Sequence, residues 1–488
     1  MSSVTIPAGA DIQAAIDSHP AGTVFQLSAG VYRGQHFLAQ PNDQFIGAPG
    51  GGTILSGALV LSRWTAEGQL WKIDGLPPPF PGHGEPGNNP LATSREDLFL
   101  DNTLYHRVGS IAEITAKHWY FDQATRTAYL ADDPHGHVVE YSATPNLTFD
   151  NGATGAVVSH LTIEKYATDA QSAPIHGVRG WHIIDVTSRL NHGAGLNIGA
   201  GTVVQGGHYI DNGQIGIAGW RADNSQVLRA EIARNNYAGY NMDWEAGGMK
   251  LAGSSDVIVS GNNVHDNHGT GLWSDIGDRS FIYTGNVVTN NAGNGIMYEI
   301  SYGPASIRDN VASCNKGAQI YISNSQGVDV AGNRVVVGAE SAGIAGGISM
   351  IYIDRGSGFR GAYELNHNSV HNNLIIHLGN GQDGIWLYDK EQPISGAVNQ
   401  WDSNSYRLTD GSLPRWHFGQ MDYTWQEMRK DTEFERHGTV TVLDKSQLEH
   451  LCPTGEVSPT GSIGIDATLA LFAAILSTRS PWFAVDSA

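Results

Sequence analysis

Three carboxylates stand at the same position in different repeats of the sequence. Asp243, Asp275 and Glu299 each come four residues after a five-residue mark that begins with asparagine and ends in glycine. Positions one and three beyond each mark are mostly apolar, so we expect them to point inward from a β-strand and positions two and four to point outward. Neighbouring strands of a parallel sheet lie about 4.8 Å apart. The spacing therefore predicts a column of acids on an outer face.

Further acidic and aromatic side chains surround this column. Glu245 follows Asp243 on the same outward face, and the longer step from Asp243 to Asp275 predicts a loop that walls the site. Aromatic rings beside acids form a surface that stacks on sugar rings and stays polar between them. We expect Asp243, Asp275, Glu299 and Glu245 to be catalytic. The predicted substrate-binding residues are Trp220, Asn241, Trp244, Lys250, Trp273, Tyr298 and Tyr321.

Crowded carboxyl groups suit the hydrolysis of glycosidic bonds, which needs one protonated and one ionised carboxyl beside the scissile bond. A column of acids supplies that difference, because the pKa of at least one member must rise. Asp275 and Glu299 are predicted as the central pair, with Asp243 and Glu245 assisting. Neighbouring coils place carboxyls near the retaining separation and alternate coils near the inverting one, so the mechanism stays open.

Two other functions fit the same residues. A polysaccharide lyase would cleave a uronate polymer by β-elimination, with Lys250 or Arg279 near the column and Ca²⁺ held by the acids. A non-catalytic glycan-binding module would use the same face without coupled acids. Hydrolysis is the preferred interpretation. It requires no metal and no cofactor, and Ca²⁺ enters only in the lyase alternative.

A repeat of about 24 residues positions these side chains. Asn262, Asn286, Asn310 and Asn333 are separated by 24, 24 and 23 residues. Each unit holds two or three short β-type runs between Asn/Gly corners, and the regular leucines of a leucine-rich horseshoe are absent. These features predict an all-β protein, a right-handed parallel β-helix whose asparagines form an internal ladder from coil to coil.

Other segments frame the repeats. Residues 1–59 are predicted to hold an N-terminal capping helix and the first coils. Residues 60–145 break the period and predict an inserted β-rich region. Residues 146–395 form the predicted β-helix core. Residues 396–488 are predicted as a C-terminal capping extension whose tail ends in one amphipathic helix.

The composition of the chain limits the classes of partner that we expect it to bind. Lys+Arg 28 against Asp+Glu 48 gives a net charge of −20, which argues against nucleic acid because its binders need a basic surface. Two cysteines, Cys314 and Cys452, imply no disulfide framework. The N-terminus lacks the basic start and apolar run of a signal peptide. We expect a soluble protein of undetermined compartment, bound to no membrane, that acts on a poly- or oligosaccharide.

Several segments carry a resemblance to a known superfamily. They are Ile12–Ile16, Ala29–Tyr32, Asp97–Asp101, Trp119–Asp122 and Tyr129–Pro134. Together with the repeat marks they resemble bacterial right-handed parallel β-helix proteins of the pectin lyase-like superfamily. The resemblance implies that fold over roughly residues 5 to 440, and it implies hydrolase, lyase, epimerase or transferase chemistry on carbohydrates. The acid column resembles in kind the aspartate cluster of the polygalacturonase-type members, although their Asn-Thr-Asp and Arg-Ile-Lys motifs are absent.

Overall fold

The computed structural model describes residues 3–388, 398–448 and 451–452. Within these ranges the chain passes in turn through three long parallel sheets, which we number in the order in which each coil visits them. Each coil hydrogen-bonds to the coil before and after it, and successive strands pair in register. The predicted parallel β-helix is confirmed.

The three sheets have 13, 13 and 12 strands in the described part of the chain. Sheet 1 consists of Ser3–Ile6, Val24–Leu27, Gln44–Gly47, Val157–Ser159, His182–Ile184, Val203–Gln205, Gln226–Leu228, Ser255–Ser260, Arg279–Thr284, Ala305–Arg308, Val328–Ala331, Ser369–His371 and Gln400–Asp402. Sheet 2 consists of Gly30–Arg33, Thr53–Ser56, Thr162–Glu164, Thr187–Arg189, His208–Ile210, Glu231–Ala233, Asn263–His265, Val287–Thr289, Val311–Ser313, Arg334–Val337, Leu374–His377, Ser405–Leu408 and Thr439–Val442. Sheet 3 consists of Thr148–Phe149, Ile175–Val178, Ala194–Ile198, Ile215–Trp220, Gly247–Ala252, Thr270–Asp275, Ile296–Glu299, Ile320–Ser323, Ile348–Tyr352, Asp383–Leu387, Trp416–Gly419 and Met421–Tyr423.

Stacked asparagines line the inside of the corners. The Asn262 side-chain amide donates to Asn286 Oδ1 at 2.9 Å, and the Asn262 backbone N–H donates to the same oxygen at 3.0 Å. The same pair of bonds repeats through Asn310 and Asn333, which confirms the predicted ladder. A second ladder runs through Asn191, Asn212, Asn235, Asn267, Asn291 and Asn315 to Gln319. Each buried amide is thereby satisfied by its neighbours.

The predicted β-rich insertion is present as a separate, mainly antiparallel sheet with its own apolar core around Trp119 and Tyr141. Buried ion pairs join it to the coils, and Glu140 of the insertion contacts both Arg33 and Lys165 of the solenoid. In hydrogen-bonded order its strands are Ala58–Leu61, Val139–Ser142, Leu98–Leu100, Thr103–Arg107, His118–Asp122, Thr127–Leu130, Leu70–Ile73 and Thr65–Glu67.

Helices are short in the described part of the chain. Ile12–Asp17 is capped by the Asp11 side chain and buries Ile12 and Ile16 in the main core. The helix is therefore present where we expected it, and its role as a cap stays a prediction. The remaining helices are the 3₁₀ turn Ile111–Glu113 and the α-helices Met242–Glu245, Trp425–Asp431 and Lys445–Leu448. None of the helices in the described ranges is long and apolar enough to cross a membrane.

The C-terminal region continues the coils further than the predicted boundary at 395. Strands from Gln400–Asp402 to Thr439–Val442 extend all three sheets. Cys314 and Cys452 form a disulfide, which corrects our reading of the two cysteines. Their Cα atoms lie 5.6 Å apart although 138 residues separate them in sequence, and only the fold supplies that proximity. The predicted amphipathic helix of the tail lies outside the described residues, and the division into four domains stays a prediction.

Candidate functional site

A cleft of about 760 Å³ lies on the outer face of sheet 3. Its floor is an outward row of side chains in strict register, namely Lys250, Trp273, Met297 and Tyr321. The short helix Met242–Glu245 and the loop residue Arg355 line its sides.

Asp275 and Glu299 lie in this cleft on neighbouring strands, Thr270–Asp275 and Ile296–Glu299. The register that pairs Ser274 with Tyr298 places their carboxyl groups one coil apart. Both side chains are largely buried, at 5% and 8% relative exposure. The structure thus brings the predicted central pair together.

The predicted column is wrong for Asp243. The position in register with Asp275 on the preceding strand is held by Ala252. Asp243 lies instead on the short helix Met242–Glu245, exposed at the rim of the cleft. The reason is that the extra residues of this coil precede the strand, which begins at Gly247 and not after Gly239.

A lysine holds Asp275. Lys250 Nζ lies 2.9 Å from Asp275 Oδ2, and it donates to the Trp244 carbonyl oxygen at 2.8 Å. The ammonium also stands 3.8 Å from the centroid of the Trp273 ring, an electrostatically favourable position over an aromatic face. Asp275 therefore has a cationic partner whose own position is held by the Trp244 carbonyl oxygen and the Trp273 ring.

Glu299 has a different environment. Burial raises its pKa, and the nearby charge of Asp275 raises it further. Arg355 Nη1 contacts Glu299 Oε1 at 2.9 Å and acts in the opposite direction, as does Lys250, but the net shift is upward. Of the two carboxyl groups one coil apart, Glu299 is thus the one whose pKa is raised.

Glu245 lies in the same cleft as a third acid, half-buried. Burial raises the pKa of Glu245, and Lys250 and Gln171 lower it by less. Lys250 Nζ lies 3.9 Å from Glu245 Oε2. The Gln171 side-chain amide donates to Glu245 Oε2 at 2.7 Å. Glu245 thus stands beside the Lys250–Asp275 pair and lines the wall of the cleft.

The predicted binding residues divide into three groups. Trp244, Lys250, Trp273 and Tyr321 line the cleft, and burial together with the charge of Glu299 raises the pKa of Tyr321 to about 12. Asn241 serves as the N-cap of the short helix, since its Oδ1 accepts from the Asp243 backbone N–H at 3.0 Å.

Tyr298 and Trp220 lie elsewhere. Tyr298 as a binding residue is wrong, because its ring is fully buried in the core and its hydroxyl donates to the Tyr302 carbonyl oxygen at 2.7 Å. Trp220 is 55% exposed and does not line the cleft.

Arg355, Gln171 and Lys316 are among the cleft residues that were not predicted. Arg355 belongs to a loop outside the repeat, Gln171 reaches in from an earlier coil, and Lys316 follows an asparagine of the second ladder. A signal for the correct register did exist. A small residue followed by an apolar one opens most strands of sheet 3, as in Gly216-Ile217, Gly248-Met249, Gly271-Leu272 and Gly295-Ile296.

In the described part of the chain, no three His, Cys, Asp or Glu side chains are arranged to hold a metal ion. In the lyase alternative, Asp243, Asp275 and Glu299 would hold Ca²⁺ together. Asp243 lies instead on the helix Met242–Glu245, and Lys250 contacts Asp275. The expectation that catalysis needs no cofactor stays a prediction.

Comparison with known proteins identifies the fold. The family model for the right-handed β-helix region matches residues 174–335. No curated protein sequence gives a significant match. Among solved structures, XylC in complex with xylose has a TM-score of 0.64 at 15% identity, over 84% of this chain and 83% of that chain.

Two further structures match less well. The A-module of the mannuronan C-5 epimerase AlgE6 from Azotobacter vinelandii has a TM-score of 0.47 at 14% identity, over 89% of this chain and 95% of that one. A protein described as a glycoside hydrolase has a TM-score of 0.45 at 10% identity, over 90% and 99%. Stacked parallel coils, asparagine ladders and the family-model match lead to one conclusion: the chain is a right-handed parallel β-helix with the pectin lyase-like fold.

Proposed function

We propose that this protein is a glycoside hydrolase that acts with retention of configuration, with Asp275 as nucleophile and Glu299 as general acid and base. The observation that carries the proposal is the unequal treatment of two neighbouring carboxyls. Asp275 forms an ion pair with Lys250, whereas burial and the charge of Asp275 raise the pKa of Glu299. A glycosidase needs one ionised and one protonated carboxyl at its scissile bond.

The spacing of the two acids supports retention. They stand on adjacent parallel strands, whose separation of about 4.8 Å is close to the roughly 5–5.5 Å between the carboxyls of retaining enzymes. An inverting enzyme needs a gap of about 6.5–9.5 Å to admit water between them. The adjacent position therefore favours a covalent intermediate.

In the first step, Glu299 transfers its proton to the glycosidic oxygen while an Asp275 carboxylate oxygen attacks the anomeric carbon. The bond to the leaving group breaks, and a glycosyl ester forms on Asp275. In the second step, the Glu299 carboxylate takes a proton from water, whose oxygen attacks the same carbon and releases Asp275. Lys250 stabilises the carboxylate of Asp275 before the first step and after the second.

The cleft suits a sugar. Trp244, Trp273, Met297 and Tyr321 supply apolar surface, and charged side chains between them supply hydrogen-bonding groups. XylC, which shares this fold, was solved with xylose, so that pentose is the first sugar to test. The substrate class that we propose is a poly- or oligosaccharide.

The second candidate is a lyase or epimerase acting on a uronate. Lys250, Arg355 and Lys316 place three cations in the cleft, and such enzymes need cations to neutralise the uronate carboxylate. Lys250 and Arg355, the cations beside Asp275 and Glu299, each already contact a carboxylate of the protein at 2.9 Å. That pairing favours hydrolysis at these two acids.

The test is a panel of aryl glycosides and oligosaccharides, beginning with an aryl β-xyloside and xylo-oligosaccharides. We expect new reducing ends, no ultraviolet absorbance from unsaturated uronates, and a first-formed product with the anomeric configuration of the substrate by NMR. Asp275→Asn and Glu299→Gln should each lose most of the activity, whereas Asp243→Asn, at the rim of the same cleft, should retain it. Unsaturated products, or full activity in both active-site variants, would overturn the proposal.

A further inference from the structure

A second concavity lies beyond the Asp275 end of the cleft, at the corner where sheet 3 passes into sheet 1. Its volume is about 460 Å³, and its lining includes Arg221, Gly253, Ser255, Phe359 and Arg360. The proposed hydrolytic mechanism uses none of these side chains.

One hairpin connects this concavity to the cleft. The strands Ser357–Gly358 and Gly361–Ala362 form the hairpin, and the Tyr302 hydroxyl donates to the Gly361 carbonyl oxygen at 2.9 Å. Arg355, just before the hairpin, contacts Glu299 in the cleft. Arg360 lies in the turn of the hairpin, and its Nη2 donates to Ser255 Oγ at 3.2 Å in the second concavity. A ligand that extends out of the cleft along this hairpin therefore reaches Arg360.

Two exposed aromatic rings mark the same path. Phe359 is 67% exposed, and a Cβ added to Gly277 would lie 2.5 Å from its ring, so the ring covers the chain two residues beyond Asp275. Trp220 is 55% exposed, and its ring lies over Gly253 in the same way. Gly253 is on the coil before that of Gly277. Exposed rings are suited to stacking on sugars, and the Arg360 guanidinium stands over the Phe359 ring, 4.8 Å from its centroid.

The concavity also presents cations. Arg221 and Arg360 have no carboxylate within 4 Å among the described residues, in a chain whose net charge is −20. Asp223 and the exposed Asp256 face the same space, and Asp223 Oδ1 accepts from the Ser255 backbone N–H at 2.7 Å. A guanidinium group binds a carboxylate through two parallel hydrogen bonds, which makes it the natural recognition group for an acidic sugar.

We propose that this concavity is a subsite for a uronic acid residue of the glycan whose glycosidic bond occupies the cleft. Arg360 and Arg221 bind the carboxylate, and the exposed ring of Phe359 packs against the sugar. The assignment of the ligand as part of the substrate rests on the proposed hydrolase function of the cleft. The preference for a carboxylate rests on the two arginines alone.

Binding is measured by calorimetry on the Glu299→Gln variant, so that no turnover intervenes. The probes are a xylo-oligosaccharide, the same oligosaccharide carrying one glucuronic acid branch, and a counterpart with a sulfate in its place. We expect the glucuronic acid branch to raise affinity by roughly tenfold, and we expect added salt to reduce the gain. The further changes Arg360→Gln and Arg221→Gln should each remove most of that gain. Arg229→Gln, an exposed arginine on another face, is the matched control.

Hydrolysis of a small aryl glycoside, which fills the cleft alone, separates the two proposals. Arg360→Gln should leave that rate unchanged if the concavity is a distal subsite. A glucuronic acid preference without any hydrolysis would support the subsite and refute the hydrolase. Equal affinity for the neutral and acidic probes, an equal gain from the sulfate, or a gain that survives both arginine variants would overturn the subsite.

Discussion

Asp275 and Glu299 show how a regular scaffold produces two unlike acids from equivalent positions. A β-helix places them one coil apart at the same outward point, so the backbone does not distinguish them. The difference comes from their partners. Lys250, on the preceding strand, forms an ion pair with Asp275. Burial and the charge of Asp275 raise the pKa of Glu299. Their roles in the proposed reaction follow from this asymmetry.

Replacing Glu299, the proposed general acid, should change the alkaline side of the pH profile. Because the pKa of Glu299 is raised, the protonated form persists towards neutral pH, and kcat/KM should fall on the alkaline side as this group ionises. Glu299→Gln should lower kcat/KM by about 10²–10⁴ and abolish that alkaline limb. Asp243→Asn should keep both the wild-type kcat/KM and its alkaline limb. An alkaline limb that persists in Glu299→Gln would assign it to another group.

Removing the lysine should lower the rate. In Lys250→Met the largely buried Asp275 side chain loses the ion-pair partner that holds it, so kcat/KM should fall by about tenfold or more. Lys316→Met is the matched control, since Lys316 is an exposed lysine in the same cleft with no carboxylate within 4 Å in the described part. Equal values of kcat/KM in the two variants would mean that Lys250 does not position Asp275.

At the scale of the elements, the spacing of asparagines was sufficient to predict the coils, because a buried amide ladder imposes its period directly on the sequence. The candidate site was predicted only in part. Asp275 and Glu299 follow the 24-residue period, so their positions could be counted. Asp243 could not, because the extra residues of its coil lie before the strand and displace the register. Arg355 lies in a loop whose path the repeat does not determine.

The ladder itself can be tested with neighbouring asparagines. Asn262 donates to the Val227 carbonyl oxygen and to Asn286 Oδ1, and its own Oδ1 accepts from the Ala230 backbone N–H. Asn262→Ala should therefore lower the free energy of unfolding by roughly 2–4 kcal/mol, since it leaves buried polar groups without partners. Asn263→Ala, half-buried on the next position, should cost far less. Thermal or denaturant unfolding measures both, and equal losses would contradict a structural role for the ladder.

The ladder that contains Asn262 continues from Asn333 through Asn373 and Asn404 to a glutamate, Glu435, which makes this end of the ladder sensitive to pH. Asn404 donates to Glu435 Oε1 at 2.7 Å, and burial outweighs this and other hydrogen bonds to raise the pKa of Glu435 to about 7. A raised pKa favours the protonated form of the folded protein. The associated stability is therefore complete below about pH 4.5 and is lost as the pH rises through about 7.

Glu435→Gln should remove this dependence, because the amide stays neutral at every pH. We expect the variant to gain stability relative to the wild type as the pH rises from about 4.5 past 7, measured as the difference in melting temperature across that range. Glu433→Gln, an exposed neighbour, makes the same change in net charge and should show no such trend. A difference that stays constant with pH would remove Glu435 as the source.

At the scale of the whole molecule, a solenoid is stabilised mainly by contacts between neighbouring coils, so distant segments are joined only where something bridges them. The disulfide between Cys314 and Cys452 is such a bridge. It fixes the segment containing Leu448 and Leu451 over an apolar stripe on the outer face of sheet 2. The stripe consists of Val287, Val311, Val336, Ile376 and Leu378.

Replacing both cysteines should release that segment and uncover the stripe. We expect Cys314→Ser combined with Cys452→Ser to cost about 2–4 kcal/mol and to increase the binding of a hydrophobic dye, because the apolar stripe becomes accessible to solvent. Turnover of a small aryl glycoside at low temperature should persist, since the cleft lies on sheet 3. Leu448→Ala with the disulfide intact is the matched control and should lower stability with little added dye binding. If the double variant melts and binds dye like the wild type, the packing of the segment holds it in place without the covalent bond.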